Sequence, residues 1–502
     1  MNTLKNQMQK RCLLVVVALL SLSLTALAQI TTSSMTGKVT FDSNDGEAVI
    51  GATIQAVHGP SGTRYGAVTN ASGRFTIQGM RTGGPYTVTV SYIGYQTKTL
   101  KEISLQLGET YNFNVTISED ATQLTEVVVS GKASKFAAEK TGASTNISSA
   151  QLQSMPTISR SITDIAKLSP YSSGGMKFAG SNGKMANFTV DGANLNNNFG
   201  LSDALPGGGF PISIDAIDEV QVVIAPFDVR QTNFIGGGIN AITKSGTNTF
   251  QGTAYTYFRN QHMRGNKING EDLGDRPEEK KNIYGLTLGG PIIKDKLFFF
   301  VNYEYEKSPE QVIQYRARHE GEEPKGMVSR VLDSDMERVH NYLLQNYDYD
   351  TGSWTDFPGD VKNEKLLARL DWNITDDHHL AVRYNQTKDE QFSGASRSTG
   401  DYIYGGSGDY RTGQKAMIFA NTMYGAERSV TSISADLNSR FGQKISNQLL
   451  YTYSYMKDPT RTSESAEFPS STSPTPTMPQ PSRQALSPTS VPATNCLHGR
   501  IT

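Results

Sequence analysis

The strongest constraint on this chain is a period of two. From about residue 250 onwards, apolar side chains recur at every second position over runs of ~10 residues. Leu366, Ala368, Leu370 and Trp372 share one face, while Lys365, Arg369 and Asp371 share the other. Leu380, Val382 and Tyr384 oppose Ala381, Arg383 and Asn385, and Leu449, Tyr451, Tyr453 and Tyr455 oppose Leu450, Thr452 and Ser454. Successive side chains of a strand point to opposite sides, so each run is a strand with two unlike faces. A run of ~10 residues is also what a tilted strand needs to cross a hydrocarbon layer, one face to lipid and the other to a polar lumen. On that reading Phe298, Phe299, Tyr303 and Tyr305 are expected in the aromatic girdle at the membrane surface. Alternation by itself fits a soluble sheet with one wet face equally well.

Composition narrows the choice. The 502 residues carry 47 Lys and Arg against 48 Asp and Glu, a net charge of -1, so there is no basic field to hold nucleic acid. A hydrophobic fraction of 37% and a mean hydropathy of -0.42 are too low for a bundle of helices that each need ~20 apolar residues. The 47 glycines and 23 tyrosines suit strands and turns. Two cysteines, Cys12 and Cys496, provide neither a disulfide framework nor a cysteine zinc site.

The N-terminus reads as an export signal over residues 1–28. Lys5, Lys10 and Arg11 precede the apolar run Cys12–Leu20, and Ala26-Leu27-Ala28 is a small-x-small cleavage pattern that leaves Gln29 as the mature start. The apolar run is shorter than a spanning helix requires. An exported chain without disulfides fits a bacterial envelope.

Residues 29–118 read as short strands between turn signals, a small β-sandwich. Gly37-Lys38-Val39, Val49-Ile50-Gly51-Ala52-Thr53, Thr69-Asn70-Ala71-Ser72-Gly73-Arg74-Phe75 and Tyr92-Ile93-Gly94-Tyr95 resemble the carboxypeptidase regulatory-like domain. That name does not imply peptidase chemistry here. None of His58, His262, His319, His340, His378, His379 or His498 belongs to an HxxE-type metal pair, so the chain is expected to be no enzyme and to need no cofactor. Asp376-Asp377-His378-His379 lies between two strands and reads as a hairpin tip.

A linker at 119–135 carries the apolar patch Leu124, Thr125, Glu126, Val127, Val128 and Val129. It reads either as a last strand of the sandwich or as a free strand able to add to a partner's sheet edge. In sequence and position it resembles the TonB box of TonB-dependent outer-membrane transporters. Residues 136–245 resemble their α+β plug domain. Asn187-Phe188-Thr189-Val190-Asp191-Gly192 matches a strand and Asp-Gly turn, Ile214–Val222 an acidic-and-apolar run, and Gly236–Gly246 the Gly-rich entry to the barrel. Ser161 has the spacing to cap a short helix through Leu168 that Pro170 ends. Gly207–Gly209 and Gly236–Gly238 lack the GK[ST] ending of a phosphate loop and are expected to serve tight turns and close packing.

The fold class is therefore mostly β: a small β-sandwich, then an α+β plug, then the first part of a transmembrane antiparallel β-barrel at 246–456. A barrel of ~22 strands at ~10 residues each would leave fewer than about two residues per connection between Ser245 and Thr502. From Pro469 the chain turns Ser-, Thr- and Pro-rich with no strand in it, which fits an O-glycosylated or linker tail, but 457–502 reads better as an aberrant tail from a changed frame or an incomplete sequence. The resemblance covers the chain to Met456 and points to the Oar-like branch of TonB-dependent receptors. It implies an outer-membrane location with a periplasmic N-terminal domain. It further implies coupling to the TonB-ExbB-ExbD complex, outer-membrane lipid around the barrel, and a small-molecule, glycan or peptide substrate. The alternative is an adhesion or structural protein that binds partners through its sandwich and barrel loops.

Overall fold

The computed structural model describes residues 30–119 apart from 43–45, then 127–130, 143–155, 160–196, 205–309 apart from 208, 210, 227, 229, 233, 264, 266 and 273–279, 315–355 apart from 326–327, 360–393, 417–462 apart from 443–444, and 498–501. The signal sequence with Ala28 and Gln29, and residues Leu124, Thr125 and Glu126, lie outside them.

Eight strands build the first unit: β1 (Ser33–Phe41), β2 (Thr53–His58), β3 (Arg64–Val68), β4 (Arg74–Met80), β5 (Gly83–Ser91), β6 (Lys98–Leu105), β7 (Thr110–Asn112) and β8 (Val115–Ile117). One sheet runs β4-β1-β7 with β8 also on β1, and the other runs β3-β2-β5-β6. Alternate residues turn inward, and Met35, Val39, Ile54, Phe75, Ile77, Tyr86, Val88 and Ile103 meet in one apolar core. β9 (Val127–Ser130) then adds to β6 in parallel, Val127 opposite Lys98 and Ser130 opposite Lys101. The described part of the patch, Val127–Val129, thus lies in the sandwich sheet.

The second unit contains β10 (Ala143–Ser148), α1 (Ser149–Ser154), α2 (Ile162–Ala166), the hairpin β11 (Ser172–Gly174) and β12 (Lys177–Phe178), β13 (Asn187–Val190), β14 (Ala193–Asn194), β15 (Ile217–Ala225) and β16 (Gly238–Thr243). Its sheet has the order β10-β15-β16-β13-β14. The Ser161 hydroxyl accepts from the Thr163 amide at 3.2 Å and starts α2, which ends at Ala166. β13 and β16 are buried along their whole length because both faces are covered. The glycines before β16 serve close packing: a Cβ on Gly237 would lie 2.7 Å from the Phe178 ring.

The third unit comprises β17 (Gln251–Asn260), β18 (Lys267–Ile268), β19 (Glu271–Asp272), β20 (Lys280–Ile293), β21 (Leu297–Pro309), β22 (Arg316–Arg318), β23 (Val328–Leu332), α3 (Asp333–Tyr347), β24 (Asp360–Thr375), β25 (His378–Ser393), β26 (Tyr424–Phe441), β27 (Ile445–Thr462) and β28 (His498–Ile501). Eight of these strands form one antiparallel sheet, β17-β20-β21-β24-β25-β26-β27-β28, whose two edges do not meet among the described residues. Its alternation decides between the two readings of the sequence. Leu286, Leu288, Tyr303, Leu370, Trp372 and Leu449 stand exposed on the outside, while Asn302, Glu304, Lys365, Asp371, Arg383 and Asn385 are buried on the inside. A soluble sheet buries its apolar face; this one buries its polar face.

Two expectations need correction. Phe298 is fully buried and faces inward over Gly246, so it is not in the outer girdle. On β21 the odd positions face out, which leaves Phe299, Tyr303 and Tyr305 on the lipid side. The tail also holds a strand after all. β27 continues past Met456 to Thr462, and its open backbone edge is met by the Pro-free segment His498–Ile501.

Connections alternate in length. The turns between β20 and β21, β24 and β25, and β26 and β27 are short, Asp376-Asp377 being the second of them. The links from β17 to β20, β21 to β24 and β25 to β26 are long. Bacterial membrane barrels put short turns on the periplasmic side and long loops outside. The sandwich packs at the short-turn end: Asn248 N donates to Pro60 O at 2.8 Å, and the Tyr65 ring lies 5.2 Å from that of His379.

Candidate functional site: charged seams between plug and barrel

β13 ends in Asp191-Gly192, with φ of 43° and 76° at the two residues. Two left-handed residues in a two-residue loop are the turn that best fits strand twist, and Asp-Gly is a favoured pair for it. The sharp reversal leaves the Asp191 carboxylate at the plug surface. It accepts from the Thr243 amide at 2.9 Å and the Thr243 hydroxyl at 2.6 Å, which joins the end of β16 to the turn. Two barrel arginines approach the same carboxylate, Arg369 at 3.5 Å and Arg383 at 3.4 Å. Arg369 also donates to Thr243 O at 2.7 Å. Its other side makes a two-pronged contact with Asp371, at 3.0 Å from Nε and 2.9 Å from Nη2. A guanidinium fork matches a carboxylate in this way, and a buried pair needs such satisfaction to offset its lost hydration. Asp371 then takes a second arginine, Arg81 of the sandwich, at 2.6 Å.

A second seam meets the same wall strand, β24, through Lys365. Arg160 precedes α2 in a left-handed conformation, φ 53°. Its guanidinium pairs with Asp215 and reaches Glu304 of β21 at 3.5 Å. It also lies over the Tyr257 ring at 4.2 Å and the Tyr255 ring at 5.3 Å. Burial works against its charge, but Asp215 and Glu304 outweigh that and hold its pKa above the ordinary arginine value. Glu304 is buried and fully occupied, accepting from Lys365 at 2.7 Å, Ser213 at 2.9 Å and Tyr255 at 2.8 Å. Beside this seam a cavity of about 940 Å³ is lined by Arg160, Lys244, Arg259, Lys281 and Asp215 among others. Its charges are largely met within the wall, Arg160 by Asp215 and Glu304 and Lys281 by Glu306.

A third contact joins sandwich and plug. The Glu219 carboxyl accepts from the Leu107 amide at 2.9 Å, and Leu107 O accepts from Gln221 at 2.6 Å and Asn146 at 3.2 Å. Burial raises the Glu219 pKa to about 8, against the opposing pull of the Leu107 amide. The carboxyl is thus largely neutral at pH 7.

Of the residues singled out in the sequence, Val127, Val128 and Val129 lie in β9, paired with β6 of the sandwich. Among the described residues no group of three His, Cys, Asp or Glu side chains comes together as a metal site. Arg81, Arg160, Asp215, Glu219 and Glu304 were not legible as site residues. Asp191, in its Asp-Gly turn, and the Arg369-x-Asp371 pair on the polar face of β24 were the available signals.

Residues 242–498 match the family described as "Outer membrane beta barrel domain", and 34–118 match the "Carboxypeptidase regulatory-like domain". The TonB-dependent transporter Oar of Myxococcus xanthus is 25% identical over 342 residues, which cover 64% of this chain and 30% of that protein. Among solved structures, the siderophore receptor PirA from Acinetobacter baumannii aligns with a TM-score of 0.39 at 16% identity, over 63% of this chain and 40% of the other. The outer membrane transporter YddB from Escherichia coli aligns with a TM-score of 0.42 at 11% identity, over 64% and 40%. The chain thus spans less than half the length of each of these proteins.

Proposed function

Because this chain belongs to the outer membrane β-barrel domain family, we propose that it acts as a TonB-dependent receptor that imports a scarce nutrient through a plugged barrel. One observation carries the reading: a sheet with its apolar face outward wraps a small α+β domain tied to its polar face by buried ion pairs. Such a wall is suited to lipid, and such a plug closes its lumen. The relatives it matches are named as transporters and receptors, and we read the chain as a non-enzyme.

In this reading the TonB-ExbB-ExbD complex supplies the energy. TonB engages Leu124–Val129 by strand addition, in which backbone hydrogen bonds give affinity, and the pull displaces part of the plug. The substrate is a small molecule, glycan or peptide. Val128→Pro tests the coupling role. Proline removes one backbone donor and cannot pair as an interior strand residue. Expected is loss of TonB-dependent uptake in the intact receptor and loss of binding to the purified C-terminal domain of TonB. Undiminished uptake would refute the assignment.

A further inference from the structure

The sandwich has no role in the reading above, yet its contacts with the rest of the molecule are specific and lie inside the barrel mouth. Arg81, in the turn after β4, makes the one to a fully buried charge. Its backbone is clamped by two buried tyrosines: Tyr65 OH accepts from Arg81 N at 3.3 Å, and Tyr86 OH donates to Arg81 O at 2.8 Å. The guanidinium reaches Asp371, whose side chain is 0% exposed, at 2.6 Å. Asp371 is shared with Arg369, and Arg369 is bound to Thr243 and Asp191 of the plug. One continuous line of paired, largely buried charges, centred on the fully buried Asp371, therefore joins sandwich, wall and plug.

Other contacts surround that line. Asn373 Nδ2 donates to Thr63 Oγ1 at 3.0 Å, and Gln448 Nε2 to Thr31 Oγ1 at 2.6 Å. Leu107 is held through its backbone by Glu219, Gln221 and Asn146 of the plug. A plug gripped from below in this way cannot leave toward the periplasm while the sandwich stays. β9, the carboxyl-terminal half of the proposed coupling segment, is paired with β6 of the sandwich, not with the plug.

We propose that the sandwich is a second, periplasmic gate, latched into the barrel wall by the Arg81–Asp371 pair and released before the plug can move. This rests on the reading of Leu124–Val129 as the coupling segment. A pull on β9 loads β6 first and draws the sandwich out of the mouth. Withdrawing Arg81 leaves Asp371 with Arg369 alone and frees Leu107 from Glu219 and Gln221.

Gly79 on β4 and Asn438 on β26 mark the closed state, because a Cβ on Gly79 would lie 3.8 Å from that of Asn438. That separation is the usual one for a disulfide. The intact receptor carrying Gly79→Cys, Asn438→Cys and Cys496→Ser is oxidised mildly in cells with and without TonB. Gly79 has φ 68°, where any side chain is strained, so Gly79→Ala serves as the control. High disulfide yield without TonB and a yield at least about threefold lower with energised TonB support the gate; equal yields overturn it, as does no disulfide in either strain where the Gly79→Ala receptor still folds and takes up substrate. Asp371→Asn, which leaves the sandwich sequence untouched, is expected to lower the TonB-free yield by about threefold or more, and an unchanged yield removes the latch role of Arg81. A separate Val128→Cys variant, cross-linked to a cysteine in TonB, tells the two ideas apart. A cross-link to TonB with an unaltered 79–438 yield defeats the gate and keeps the coupling segment. No cross-link to TonB defeats the coupling segment itself.

Discussion

The sandwich and the barrel sheet share one sequence period and bury opposite faces. In β2 the inward residues are Ile54 and Ala56, with Thr53 and Gln55 exposed. In β24 the inward residues are Lys365 and Asp371, with Leu370 and Trp372 exposed. Strand geometry is the same in both, so alternation specifies a sheet with unlike sides and no more. What sets the inside is the medium outside. Water surrounds the sandwich, where burial of apolar area stabilises by about 25 cal/mol per Å². The barrel faces lipid, which rewards apolar exposure and leaves polar groups only the lumen and the plug to pair with.

The sharpest way to break this contrast is to remove a charge from the polar interior. Asp371 sits between Arg369 and Arg81 with no exposure to solvent. Asp371→Ala leaves two guanidinium groups short of a partner in a buried site, and breaking a buried pair from one side costs about 3–5 kcal/mol. Urea unfolding in lipid vesicles, followed by tryptophan fluorescence, is the measurement. A loss under about 1 kcal/mol would mean that water fills the seam and that the interior is not as dry as its packing indicates.

The same substitution on two exposed faces sharpens the comparison from outside. Leu370→Arg places a charge on the lipid side and is expected to cost about 2–4 kcal/mol if it lies near the midplane of the bilayer. Gln55→Arg, equally exposed but on the sandwich, is expected to change stability by no more than about 0.5 kcal/mol. Vesicle unfolding of the two variants side by side gives the difference. Equal small effects would place Leu370 in water and undo the barrel reading.

How much of this could be read beforehand follows from the same contrast. The strands around Leu366–Trp372, Leu380–Asn385 and Leu449–Tyr455 were legible because side-chain direction is a local property of the backbone. Phe298 was misread for the reverse reason: which face its strand turns inward depends on register against β20 and β24, and an aromatic residue fits either face. The seams were largely illegible. Arg81 and Asp371, or Arg160 and Glu304, are far apart in the sequence, and ion pairs between separate units leave no spacing to recognise. Asp191 and the Arg369-x-Asp371 pair were the exceptions, because an Asp-Gly turn and two opposite charges on the polar face of one strand are local signals that sit where the seam forms. His498–Ile501 was missed because a strand recruited by an open edge needs little pattern of its own.

The smallest expected effects concern pH, and they run in opposite directions in the two regions. His58 in the sandwich is lowered to about 3, by burial first and then by the Arg81 charge. Its unfolded value is ~6.5, so the folded state binds fewer protons between the two values, and stability is lost as pH falls from ~6.5 toward 3. Glu219 at the plug contact is raised to about 8 from 4.5, so the folded state holds the extra proton over that interval. Its contribution is complete below 4.5 and declines as pH rises through about 8. Glu219→Gln keeps the size and polarity of the neutral carboxyl, and at pH 6 it should alter stability by about 1 kcal/mol or less. Its use lies in the slope: between pH 6 and 8.5 the wild-type contact of Leu107 with the plug should loosen, and that of the variant should not. Hydrogen exchange at the Leu107 amide reads this directly, since that amide is the one donated to Glu219. If both proteins show the same pH dependence after correction for intrinsic exchange, Glu219 is ionised in the fold and the plug contact is held by Gln221 and Asn146 alone.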